Sequence, residues 1–145
     1  MNVRFFQLAS VEDDKLKYAV VVSRFREEWI LVKHKKRTTW EIPGGKRDPN
    51  EKINETAKRE LFEETGAISY KITPVCIYSV QHELEEESFG KLFYSVVSEI
   101  GKLPKSEIGE LRYFKNLPSQ LTYPEIQPLL FQRVLEELEI KLSSP

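Results

Sequence analysis

The sequence predicts an α/β protein, a mixed β-sheet flanked by one central helix and one C-terminal helix. Three observations predict it. Apolar runs of strand length recur through residues 18–45 and 68–114, separated by turn residues. Residues 53–65 are polar and helix-forming, and Gly66 follows them as a left-handed cap. From Ile126, apolar residues recur at helical spacing through Leu130, Val134 and Leu138.

Taken in order, YAVVVSR (18–24) and WILVKHK (29–35) flank the short polar turn FREE and read as a β-hairpin. TTWEIPGG (38–45) is an extended piece broken by Pro43 and two glycines. The helix over 53–65 follows. ISYKITPVCIYSVQHEL (68–84) and KLFYSVVSEI (91–100) read as long strands joined by the acidic loop EEESFG, whose Glu85, Glu86 and Glu87 are expected to be solvated. ELRYFKNLP (110–118) is a short strand entering a turn, and the amphipathic helix runs from Pro124 onward. With strands and helices in this order, an α/β sandwich is the expected architecture.

Composition narrows the class. The 145 residues suit a single domain over 1–145, and 40% hydrophobic content supports a real core. A formal charge of −1 argues against a nucleic-acid-coating protein. Cys76 is the sole cysteine, which fits a reducing compartment and a buried strand position. The stretch MNVRFFQLASVEDDKLK lacks the apolar run of a signal peptide, and no segment reaches the roughly 18 apolar residues that span a bilayer. A cytoplasmic protein that does not engage membranes is expected.

The segment GGKRDPNEKINETAKRELFEETG (44–66) carries the chemistry. Like charges three and four residues apart on a helix repel by a few tenths of a kcal/mol per pair, yet Glu60, Glu63 and Glu64 are clustered. At roughly 100° per residue from Arg59, Glu63 lies near 40°, Glu60 near 100° and Glu64 near 140°, beside the Ala57–Leu61 stripe near 160–200°. The three carboxylates therefore sit at the rim of the core. Such an oxygen cluster suits Mg²⁺ or Mn²⁺, which would acidify a bound water. Arg59 can steady a carboxylate from one turn away, and Gly44-Gly45 lets the backbone approach a metal or phosphate. The segment is not a phosphate-binding P-loop, because Lys46 is followed by Arg47 rather than Ser or Thr.

These residues resemble the Nudix box. Gly45, Glu51, Arg59, Glu60, Leu61, Glu63, Glu64 and Gly66 occupy its specified positions. Ala67 stands where a larger aliphatic residue is usual, and Pro49-Asn50 where many members carry a glycine. The resemblance implies a Nudix-type α/β/α sandwich and Mg²⁺-dependent (or Mn²⁺-dependent) hydrolysis of a nucleoside diphosphate linked to another moiety. By position it implies Glu60, Glu63 and Glu64 as metal ligands, a Gly44 or Gly45 carbonyl as a further ligand, and Glu51 and Arg59 as supports of the catalytic helix. The general base varies in the family between Glu60 and a distant glutamate. SEIGELRYF (106–114) supplies Glu107 first, also as a metal ligand, and Glu110 second.

For substrate, the basic run Lys33–Arg37 leads toward the site, with Arg37 or Lys35 able to clamp a phosphate and Lys46 closer to the metal. The proline, tyrosine and accessory motifs of members acting on ADP-ribose, dinucleoside polyphosphates, coenzyme A and NADH are not evident. The remaining likeness is to MutT-like members, which convert nucleoside triphosphates, including oxidised dGTP, to monophosphate and pyrophosphate. LTYPEIQPLL resembles their base-pocket segment, with Tyr123, Glu125 and Gln127 offering stacking and edge hydrogen bonds and Trp40 and Phe93 offering apolar walls. The asparagine often used there is missing after Asn116, which bears on 8-oxoguanine specificity. A diphosphatase for a sugar nucleotide or an RNA 5′ end, and a nucleotide-sensing module without catalysis, remain open. The partner is then a nucleotide, with no stable nucleic-acid complex, and the chain a monomer or homodimer.

Overall fold

The computed structural model describes residues 1–140 and 142; the last part of the expected 1–145 domain lies outside the described residues. Its strands are β1 (Asn2–Phe6), β2 (Leu16–Phe25), β3 (Glu28–His34), β4 (Gly44–Lys46), β5 (Ala67–Gln81), β6 (Ser88–Ile100) and β7 (Ile108–Phe114). The helices are α1 (Ile53–Thr65) and α2 (Gln127–Glu137), with a 3₁₀ turn at Asp13–Lys15. The strands form one sheet in the order β1-β5-β6-β2-β3-β7, with β4 beside β2.

The sheet is mixed. β2 and β6 run parallel, as in Val20↔Leu92, whereas β5 and β6 form a long antiparallel hairpin. The β2–β3 hairpin pairs only at Arg24↔Trp29 and Phe25↔Glu28. Beyond that the strands part: β4 takes the place beside β2, from Tyr18↔Lys46 to Val20↔Gly44, and β3 pairs with β7. This divergence creates room for a site between strands of one sheet.

Two apolar layers enclose the sheet. On one face, Ile53, Ala57 and Leu61 of α1 are fully buried among Ala19, Val21, Ile30 and Phe93. Their four-residue spacing makes one helix stripe, and burying a large aliphatic side chain contributes about 1.5–3 kcal/mol. Gly66 caps α1 at φ 75°, its N–H donating to the Phe62 carbonyl at 2.8 Å. On the other face, Leu130, Phe131, Val134 and Leu135 of α2 bury against Trp29, Leu31, Trp40 and Ile42.

The structure differs from the sequence expectations at four places. β1 was not anticipated; Val3 and Phe5 alternate with polar Asn2 and Arg4, too short a run to stand out before its edge position beside β5 is known. Leu138 falls at the end of α2 and is 38% exposed, because the helix stops before another turn can press it inward. The β5–β6 loop lies three residues earlier than expected, at 82–87 rather than 85–90, since β5 ends at Gln81 and Ser88 and Phe89 already pair with Val80 and Ser79. Glu85 and Glu86 are exposed as expected, whereas Glu87 is half-buried and accepts bonds from Arg4 Nη2 and from the Ser79 hydroxyl, both at 2.6 Å, tying β1 to β5. Cys76 is buried as expected, and burial pushes its thiol up to about 11. Among the described residues no helix is long and apolar enough to cross a membrane.

Candidate active site

A cleft of about 470 Å³ opens where β2 and β3 part. One end is charged. Glu60 and Glu64 of α1, Gly44 and Gly45 of β4, Glu41, His34, Glu107, Arg37 and Lys46 all face it. The rest of the lining is largely apolar and aromatic and begins beside the charged groups, where Tyr18 and Val20 of β2 pair with Lys46 and Gly44; Tyr78 and Val80 of β5 and Ile126 and Leu130 on the α2 side continue it, with the polar His82 and Ser88. Gln127 borders it from the first turn of α2.

The charged end depends on a strut beneath it. Arg59 Nε donates to Glu51 Oε2 at 2.7 Å and Nη2 to Glu51 Oε1 at 3.0 Å, a bidentate pair. Arg59 Nη1 reaches Glu60 at 2.6 Å and Glu63 at 3.3 Å, and Nη2 reaches the Lys46 carbonyl at 3.1 Å. One guanidinium thereby fixes β4, the segment before α1 and two helix carboxylates. It holds the Glu51 carboxyl down to about 2, and Glu51 in turn raises the affinity of Arg59 for its proton.

The carboxylates facing the cleft are less compensated. Glu64 is 8% exposed. Burial pushes its carboxyl up to about 8; the Gly44 N–H, donating at 2.9 Å, opposes this, while Glu60, Glu41 and Glu107 reinforce it. Glu60 is raised as well, first by burial, with Arg59 opposing. Across the cleft His34 Nε2 lies 3.1 Å from Glu41 and 3.9 Å from Glu64, and its Nδ1 lies 3.8 Å from Glu107. Arg37 Nη1 donates to Glu41 at 3.0 Å. Tyr123 and Glu41 both favour the charged form of Arg37.

The donor set fits a hard divalent cation. Buried carboxylates held near one another and short of counter-charge are stabilised by such an ion. Gly45 keeps the approach open, since a Cβ there would fall 2.5 Å from the Glu60 carboxyl carbon. In the present arrangement Glu60 and Glu63 are engaged with Arg59, and among the described residues no three acidic, His or Cys side chains already form a closed cage. A cation there needs substrate or water oxygens to complete its shell, as Mg²⁺ commonly does.

The family model for the NUDIX domain matches residues 14–128, which contain α1 and nearly every residue that lines the cleft. The chain belongs to the Nudix family.

Two Bacillus subtilis (strain 168) proteins resemble this Nudix chain in part. Both carry the provisional designation 8-oxo-dGTP diphosphatase, and one is YtkD. They are 45% identical over 56 residues and 46% identical over 54, and each match covers 37% of this chain. The matches cover 38% and 34% of those relatives' own lengths. Among solved structures, the Bacillus subtilis pyrophosphohydrolase BsRppH superposes with a TM-score of 0.78 at 24% identity, covering 96% of this chain and 93% of that one. A UDP-X diphosphatase gives 0.71 at 19% identity, covering 91% and 66%. The NUDIX domain of Shewanella oneidensis NrtR, solved with ADP ribose, gives 0.67 at 17%, covering 90% and 96%. At these identities the structural likeness establishes the Nudix α/β/α fold.

Of the residues singled out from the sequence, the fold brings Glu60, Glu64, Glu107, Arg37, Lys46, Gly44, Gly45, Tyr123 and Gln127 to the cleft. Glu63 is the outermost of the helix acids and turns toward Arg59, with 45% of its side chain exposed. Glu110 is elsewhere, paired with Lys33 at 3.1 Å and Arg112 at 2.6 Å. Trp40 does not line the cleft: it is 5% exposed, meets Phe114 edge-on at 5.2 Å and is covered by Lys33 and Arg112 over its ring. Phe93 is likewise core, beneath α1. Lys33, over the Trp40 ring, and Lys35 are also outside the cleft.

Glu41, Tyr18, Tyr78 and Val80 were not foreseen. Glu41 carried a signal, being the one acid between Trp40 and Ile42; strand alternation sends it to the face opposite both. Gly90 was the clue to Tyr78, since the two are paired across β5 and β6 and a Cβ at Gly90 would collide with the ring.

Proposed function

We propose that this chain is a Mg²⁺-dependent Nudix hydrolase, with Mn²⁺ an alternative metal, that converts a nucleoside triphosphate to its monophosphate and pyrophosphate. The observation that carries the reading is the single cleft in which an acidic end and an aromatic end are continuous. A polyphosphate belongs at the first and a nucleobase at the second. The provisional designation of the two Bacillus subtilis relatives supports a triphosphate substrate, including oxidised dGTP, over the matched third of their length.

Glu60 and Glu64 would hold the cation, with Glu63, Glu107 and the Gly45 carbonyl as further oxygen donors. Once bound, the cation supplies neutralisation of phosphate oxygens and a more acidic water. The chain's own residues do the rest. Arg37 and Lys46, at the mouth of the charged end, offer N–H donors to phosphate oxygens. Arg59 keeps the Glu60 carboxylate in place from below. Glu60 and Glu107 both face the cleft and are the two carboxylates able to accept the proton of the attacking water. Tyr18, Tyr78 and Ile126 exclude water around the base.

The test is product analysis with Mg²⁺ over a panel of normal and oxidised nucleoside triphosphates, a sugar nucleotide, ADP-ribose and 5′-triphosphate RNA. Pyrophosphate and monophosphate from a triphosphate are expected. Turnover confined to a linked diphosphate or an RNA 5′ end replaces the substrate assignment, and nucleotide binding without any turnover replaces hydrolysis with sensing.

A further inference from the structure

Arg47 lies between Gly45 and Glu51, at a position the Nudix box leaves unspecified. Each of its three guanidinium nitrogens donates to a backbone carbonyl: Nε to Leu16 at 2.8 Å, Nη2 to Asp14 at 2.8 Å and Nη1 to Glu51 at 3.1 Å. Its own backbone N–H adds a bond to the Lys17 carbonyl at 2.7 Å. The same upstream segment reaches the start of α1. Lys52 is the N-cap, and its ammonium cannot accept a hydrogen bond, so the N–H of Ile53 donates to Asp13 Oδ2 at 3.3 Å. A carbonyl cannot be moved by side-chain rotation, so these bonds fix the main chain of residues 13–17 against the main chain that enters α1. Glu51 is thereby held at both ends. Arg47 holds its carbonyl, while Arg59 and the Thr56 hydroxyl, the latter at 2.7 Å, hold its carboxylate.

We infer that Arg47 is a positioning residue for the divalent cation: it sets the main chain at Glu51 and, through the Glu51 carboxylate, places Arg59 and the Glu60 carboxylate that faces the cleft. The inference rests on the proposed cation site, not on the reaction carried out there. Each link is a direct contact. Arg47 bonds the Glu51 carbonyl, Glu51 grips Arg59 through two bonds, and Arg59 reaches Glu60 at 2.6 Å. Groups that bind a metal must be held to within about 0.5 Å by the contacts behind them, and loss of the Arg47 bonds frees the chain at Glu51 itself. The planar fork of an arginine suits this task, since it can address three carbonyls at once from a fixed frame. A role confined to stability has a different signature. It lowers the melting temperature and leaves the metal affinity of the folded protein unchanged.

The experiment is Mn²⁺ binding without nucleotide, read by electron paramagnetic resonance well below the melting temperature of each variant. Arg47→Met keeps the stem and removes the donors. It is expected to raise the Mn²⁺ dissociation constant about tenfold, the low end for contacts that support metal ligands. Arg47→Lys, with one ammonium for three carbonyls, should raise it about threefold. Glu51→Gln breaks the charged pair with Arg59, so in that background Arg47→Met should add less than about twofold. A dissociation constant within about twofold of wild type in Arg47→Met, with only the melting temperature lowered, overturns the inference. So does an undiminished effect of Arg47→Met in the Glu51→Gln background, which would place the influence of Arg47 outside Glu51. If Arg47→Met does not fold, Arg47→Lys decides, and unchanged affinity in it overturns the inference. Wild-type protein that binds no Mn²⁺ removes the cation site and this inference together. Arg47-dependent Mn²⁺ binding without hydrolysis of any triphosphate removes the proposed reaction and leaves the positioning role standing.

Discussion

The two ends of the cleft are built in opposite ways. The strut and the helix acids of the charged end come from one continuous stretch, Gly44 to Glu64, and His34, Arg37, Glu41 and Glu107 join them from outside it. The apolar part comes from β2, β5 and the start of α2, positions separated by more than a hundred residues and brought together only by the fold. Local chemistry is fixed by helix geometry, whereas selectivity depends on the register of distant strands. The charged end should therefore govern rate and the base end should govern choice of substrate.

The sharpest way to break that division is Glu64→Gln. If Glu64 holds the cation as proposed, losing its carboxylate is expected to lower kcat on the order of 10³-fold, the several kcal/mol of charge stabilisation a metal supplies. The preference of the residual activity among nucleoside triphosphates should not move. A changed preference with near-normal kcat would show that Glu64 reads the base end instead. Second in size is Arg59→Ala. It leaves Glu51 and Glu60 in place without their shared guanidinium, and loss of such supporting contacts typically costs about 10- to 100-fold in activity or metal affinity. Arg59→Lys should recover little, because one ammonium cannot replace the bidentate contact to Glu51 and the bond to Glu60 together. Steady-state kinetics across a Mg²⁺ titration distinguishes lost affinity from lost turnover.

The same contrast explains what could be read in the sequence. The bounds of α1, the cap at Gly66 and the rim position of Glu60 and Glu64 follow from 100° steps and local residue types, so they were legible before any fold was known. The β2–β3 hairpin was legible too, but not its early parting after two residue pairs, which depends on β4 and β7 arriving from elsewhere. Trp40 shows the limit clearly. Its chemistry suits a base wall, and only its placement beside Phe114 and the α2 layer assigns it to packing. Glu41 was obscured in the reverse sense: an acid inside an apolar run becomes meaningful once His34, Arg37 and Glu64 converge on it.

Third in size, Ile126→Ala tests the base end directly. Ile126 is partly buried at the start of α2 and borders the cleft. Removing its methylene contacts should raise KM for a triphosphate by roughly tenfold while leaving kcat within twofold, the reverse of Glu64→Gln. A fall in kcat with unchanged KM would mean that the two ends are coupled and that base contacts help align the phosphate.

The smallest effect concerns stability and separates the ends by pH. In the unfolded chain Glu64 is an ordinary glutamate, whereas burial pushes its carboxyl up to about 8 in the folded, metal-free protein. Between those values the folded state holds a proton that the unfolded state has released, so raising the pH lowers stability across that interval and the loss levels off above the folded value. Thermal melts of metal-free protein should accordingly fall by a few degrees from pH 5 to pH 8. Glu64→Gln should flatten that slope, and Ile126→Ala should lower the melting temperature without changing it. Adding Mg²⁺ near neutral pH should release protons, because ligating carboxylates must be ionised, and should restore stability most at the pH where the buried charge is least tolerated. A slope that persists in Glu64→Gln would place the titrating group elsewhere, with Glu60, raised by the same burial, as the next carboxylate to replace.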